Sequence, residues 1–168
     1  MTFELKTLSA EALPRALEKA ERYRLLNEPG EAESICLDVL AVDRDNQAAL
    51  VTLLLALTDQ FDTDLRSALS EALGVVERMR DPYARAYYTG IIHERRAKAQ
   101  LRQNTPGAGV RAYASLRDAM AWFEKAEELR PAGNDDAVLR CNTCARLLMR
   151  DRHLVPSTEE RGEPLLLE

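Results

Sequence analysis

The sequence predicts an all-α protein, and three observations carry that prediction. Ala, Leu, Glu and Arg recur throughout while aromatic residues make up only 5%, and those four lose little freedom on entering a helix. No run sustains the period-two alternation of β-branched residues that a half-buried strand needs. Apolar residues recur instead at steps of three and four, between short breaks such as "NEPGE", "DRDN" and "NTPGAG". With 168 residues, 46% of them hydrophobic and 30% charged, the chain has enough apolar surface for one real core.

The elements follow in order. The spacing predicts a first helix over Ala10–Leu26, with Pro14 tolerated in its first turn. After the turn Asn27–Glu31, a second helix runs from Ala32 to Val42. Asn46 is placed to cap a third, Gln47–Gln60, whose run of leucines points to burial on several sides. The acidic link Asp59–Asp64 leads to a helix from Leu65 to Met79, and "RDPY" opens a long one reaching Gln103. The Pro-Gly pair in Asn104–Gly109 is a turn signal. A second long helix then extends to Arg130, and the last runs from Ala137 to Asp151. Residues 152–168 have two prolines, a glycine and no helical period. They read as a mobile tail behind a domain of residues 1–151.

Composition narrows the function classes. A formal net charge of −5 offers no overall basic field for nucleic acid. The longest apolar run, Ala49–Leu57, is too short to span a membrane, so no membrane partner is expected. The N-terminus lacks the charged-then-apolar pattern of a secretory signal, and three cysteines, an odd number, make no disulfide framework. A cytoplasmic protein is expected.

The helices repeat one another. Ala119, Phe123, Ala126 and Pro131 fall at steps of four, three and five, as do Ala32, Cys36, Val39 and Arg44, and again Ala68, Ala72, Val75 and Arg80. Steps of four and three keep three side chains on one helix face, and small ones let a neighbour approach closely. Between these sets, Ala20 and Tyr23 reappear 34 residues later as Leu54 and Leu57. Gly90 and His93, and then Cys141, Cys144, Ala145 and Leu148, hold the equivalent places further on. The pattern resembles the tetratricopeptide repeat, a helix–turn–helix unit of ~34 residues. It covers roughly Ala12 to Asp151, with departures: Lys19 stands where a leucine is usual, and no Trp occupies the early helix position. Gly90 and Ala119 are 29 residues apart where Ala20 and Ala32 are 12 apart. The third hairpin is therefore lengthened. The resemblance implies a tetratricopeptide-like α-α superhelix of about three irregular hairpins plus a closing helix, whose outer side Arg140, Arg146, Arg150 and Asp151 would make polar.

Catalytic chemistry has few candidates. His93 sits at a helix packing position and His153 in the tail, so neither is read as catalytic, and "TPGAGVR" lacks the strand and lysine of a phosphate loop. "CNTC", Cys141–Cys144, has the CxxC spacing of zinc and redox sites, and Cys36 could join it. Inside an amphipathic helix, however, the pair reads as small core cysteines. No cofactor or metal is expected. A thiol-based metal-binding or redox protein using Cys36, Cys141 and Cys144 remains the alternative.

The resemblance implies a non-catalytic module that binds a protein or peptide segment in a groove lined by the first helix of each pair. It places Leu17, Glu21 and Arg24 in that groove from the first unit, and Val51, Thr52, Leu55 and Asp59 from the second. Tyr87, Tyr88, Ile91 and Arg95 come from the third, with Arg146 and Arg150 closing the end. Some family members grip acidic chaperone tails through lysines, asparagines and an arginine. The matching places here, Leu17, Glu21, Thr52, Ala84 and Tyr88, supply none of that chemistry. A second candidate surface is the basic run on the lengthened hairpin, Glu94–Arg117, read first as a solvated face. A monomer or weak homodimer is expected.

Overall fold

A computed structural model describes residues 2–157, and its regular structure among them is entirely helical. A short 3-10 turn, Ala10–Ala12, opens α1 (Leu13–Leu25). There follow α2 (Pro29–Val42), α3 (Gln47–Asp59), α4 (Leu65–Glu77), α5 (Pro82–Gln103), α6 (Ala108–Leu129) and α7 (Asp136–Arg150). Each helix packs on the next in the chain, and α1 also touches α3, as α3 touches α5. No helix among the described residues is long and apolar enough to cross a membrane.

Local chemistry sets the boundaries. The Asn46 side chain accepts a hydrogen bond from the Ala49 N–H at 3.0 Å, capping α3 as expected. Asp64 and Asp81 cap α4 and α5 in the same way, through the N–H groups of Ser67 and Tyr83. The α5–α6 turn uses two left-handed residues, Asn104 and Gly107, with φ of 47° and 73°. Boundaries shift by up to three residues: α1 begins at Leu13 after the 3-10 turn, α4 ends at Glu77 rather than Met79, and α2 begins at Pro29 rather than Ala32. Proline's fixed φ suits a first turn, where its missing N–H costs nothing, so the proline opens the helix instead of belonging to the turn.

The recurrent small and apolar positions form the interior. Ala20, Ala32, Cys36, Val39, Ala68, Ala72, Val75, Ala119, Phe123 and Ala126 are all buried. They divide between two adjoining cores, one built from α1–α4 with Ile92 and Ala99 of α5, the other from α5–α7. Leu55 and Tyr88 pack against both. Gly90 leaves room for the Phe123 ring of α6 to lie on α5: a Cβ there would sit 2.5 Å from that ring.

One expectation is corrected here. The chain does not leave the body after Asp151. Leu154 is buried in the second core, its N–H donates to the Asp151 carbonyl, and the His153 backbone lies directly against Gly109. One leucine with a local turn anchors this stretch without any helical period. The remainder of the expected tail, 158–168, lies outside the described residues. The basic run Glu94–Arg117, expected as a solvated face, keeps Arg102, Arg111 and Arg117 exposed. Ala97, Ala99 and Gln100 are buried, and Arg95 and Arg102 bridge back to Asp59 and Asp62.

Candidate functional site

An ion ladder runs across α1, α3 and α5. Arg24 at the end of α1 pairs with Asp59 at the end of α3 at 2.8 Å, and Arg95 of α5 pairs with the other oxygen of that carboxylate. The partners lie 35 and 36 residues apart in sequence, so the ladder joins three helices that are not neighbours in the chain. Arg95 also donates to the Leu55 carbonyl at 3.2 Å and to Thr58 Oγ1 at 2.7 Å. Burial pulls the Arg95 guanidinium below its ordinary pKa, and the Asp59 charge pulls it back up. With three acceptors, this arginine ties α5 to α3.

Beyond the ladder the surface deepens into a depression of about 350 Å3, walled by α3, α5 and α7. Glu94 forms its most buried wall, 1% exposed. Glu94 Oε1 takes Lys98, one turn along α5, and Arg140 of α7 at 3.5 Å, while Oε2 has no hydrogen-bond partner. Burial works against the Arg140 charge, but Tyr87 and the Glu94 carboxylate hold its pKa above the ordinary arginine value. Nearby, Tyr87 stacks on Tyr83 at 5.8 Å and meets Tyr88 edge-on at 5.2 Å. Arg102 pairs with Asp62 at 2.7 Å on the far rim.

Of the residues expected in the groove, the structure brings together Arg24, Leu55, Asp59 and Arg95 in the ladder, with Tyr87 beside it. Glu21, Arg146 and Arg150 are exposed on their helices, whereas Leu17, Val51 and Tyr88 are half-buried against the cores. Thr52 and Ile91 are corrections. At 4% and 2% exposure they belong to the interior, because the helix face they occupy turns toward the neighbouring helix. Arg140 is another: expected on the polar outer side, it reaches inward to Glu94. Thr58, Asp62, Glu94, Lys98, Arg102 and Arg140 line the depression without having been assigned to a groove. Alternation of charge sign along Arg24, Asp59 and Arg95, spaced 35 and 36 residues apart, is the sequence signal that points to the place.

The thiols sit apart. Cys36 lies in the first core and Cys144 in the second, and burial pushes both up to about 12. Cys141, partly exposed, is also raised by burial. No group of three His, Cys, Asp or Glu side chains is placed to share a metal ion among the described residues. His93 packs with its Nδ1 unbonded, 3.8 Å from Asp118, and burial lowers its pKa.

No family model, curated protein or solved structure matches this chain.

Proposed function

We propose that the chain is a non-catalytic, tetratricopeptide-like module of the cytoplasm that binds a peptide or helix of another protein along the polar edge of α1, α3 and α5, with α7 closing one end. The observation that carries the reading is the Arg24–Asp59–Arg95 ladder. It fixes one edge of three alternate helices side by side, and beside it the surface opens into a depression of about 350 Å3 that is not enclosed. A rigid edge of this kind offers directional donors and acceptors to an extended or helical segment, as partner-binding grooves do. The thiol chemistry of the alternative reading finds little support, because protonated, buried sulfurs are poor nucleophiles and poor ligands.

The test is a selection from a random peptide display, followed by amide hydrogen exchange on the complex. Protection on the exposed faces of α1, α3, α5 and α7 is expected. Protection confined to α2, α4 and the outer face of α6 would place binding elsewhere and end the proposal.

A further inference from the structure

A second depression, of about 610 Å3, lies on the other side of Lys98, which lines both it and the one beside Glu94. Its far wall is α7, where Arg140, Thr143, Leu147 and Arg150 follow steps of three and four and so share a stripe, with Arg146 alongside. On α5, Glu94, Lys98 and Arg102 share a stripe at steps of four; all three line the smaller depression and Lys98 the larger as well. The two stripes make a trough between α5 and α7.

The charges in and beside that trough do not balance. Asp59 serves two arginines, Arg24 and Arg95, and one oxygen of Glu94 serves both Lys98 and Arg140. The Arg140 contact, at 3.5 Å, is longer than a good charge-assisted hydrogen bond. Arg146 and Arg150 are exposed and have no ion pair among the described residues. On a chain of net charge −5, cations are here in clear excess over carboxylates. Two apolar side chains, half-buried Leu147 and Met149 (78% exposed), lie among them.

We infer that the α5–α7 trough receives an acidic segment of another protein that alternates carboxylates with apolar side chains. The carboxylates would meet Arg146, Arg150, Lys98 and Arg140, and the apolar side chains would cover Leu147 and Met149. Arginine is suited to this role because its planar fork takes a carboxylate through two parallel hydrogen bonds. Buried Glu94 keeps Lys98 and Arg140 at the trough wall. A nucleic acid is the weaker fit, since no exposed aromatic ladder accompanies the cations among the described residues. This inference rests on the binding-edge reading above but fails separately from it.

The test is fluorescence anisotropy on the full chain with an acetylated, amidated octapeptide alternating Glu and Leu. An octapeptide alternating Gln and Leu and a single-stranded oligouridylate serve as comparisons. The acidic peptide should bind at least about tenfold more tightly than its Gln counterpart, because complementary charge fixes the preference. Raising the salt from about 50 to 300 mM should weaken it, as exposed contacts are screened. Arg146→Gln with Arg150→Gln, both on exposed positions, should lower affinity about fivefold while the melting curve stays unchanged. Equal binding of the two peptides, indifference to the double substitution, or preference for the RNA would overturn the inference. If display then still yields uncharged peptides that protect α1, α3 and α5, the binding edge stands and only its acidic specificity falls.

Discussion

Gly90 of α5 lies directly against the Phe123 ring of α6, and its lack of a side chain is a packing element. Adding a methyl group gains up to about 1 kcal/mol of helix propensity. It must also displace the fully buried Phe123 ring, and overpacking of this kind costs about 1–3 kcal/mol. Gly90→Ala is therefore expected to lose stability in urea unfolding, and a variant as stable as the parent would mean that α5 and α6 cross further apart. Ala126→Leu, at another buried position of the same core, should lose stability for the same reason. The thiols make a second residue-scale prediction. At pH 8, iodoacetamide should label Cys141 in the native chain and reach Cys36 and Cys144 only after unfolding, as read by mass spectrometry. The sign of the pH effect follows. An unfolded thiol ionises near pH 9 while these two stay protonated to about 12, so the unfolded state releases protons first and stability falls as pH rises through that window. Gly90 and the two buried cysteines were legible in the sequence because each is a small residue at a helix-period step. Glu94, a charged residue in the wall of the interior, gave no such sign.

At the level of elements, the sequence was most informative where period and cap chemistry agreed, as at Asn46 and α3. It was least informative where one side chain had two possible faces. Thr52 and Ile91 lie on helices that offer neighbours on more than one side, and only the packing decides which face turns in. The same ambiguity hid Arg140. The Arg24–Asp59–Arg95 ladder can be tested as a unit. Removing Asp59 leaves two guanidinium groups close together without their shared counterion, whereas removing Arg24 leaves one good pair. Asp59→Ala should therefore cost more than Arg24→Ala, by about 1 kcal/mol given that the three side chains are about a fifth to a quarter exposed. In the double variant the two losses should fall short of additivity, because the groups share one network. Strict additivity in a thermal or urea cycle would show that the ladder is not coupled in solution.

At the scale of the whole molecule, helices that mostly touch their sequence neighbours are joined into one body by a few side chains, Leu55 and Tyr88 at the meeting of the two cores and Leu154 at the end of the second. A lone leucine in a stretch without period is invisible to pattern reading, which is why residues 152–157 looked like the start of a tail. The structure predicts that they hold the second core closed. Ending the chain at Asp151 exposes what Leu154 covers, a burial worth about 1.5–3 kcal/mol for a leucine. In a chain of this size that corresponds to a fall in melting temperature of several degrees, at about 2–4 °C per kcal/mol. Leu154→Ala in the full chain should fall by a similar amount. Gly109→Ala separates docking from any other effect of truncation, since a Cβ at Gly109 collides with the His153 carbonyl. In the full chain it should lower the melting temperature by pushing the segment away. In the shortened chain the collision is gone, and alanine's better helix propensity should leave the temperature equal or slightly higher. A fall of the same size in both backgrounds would mean that the His153 backbone does not rest on Gly109.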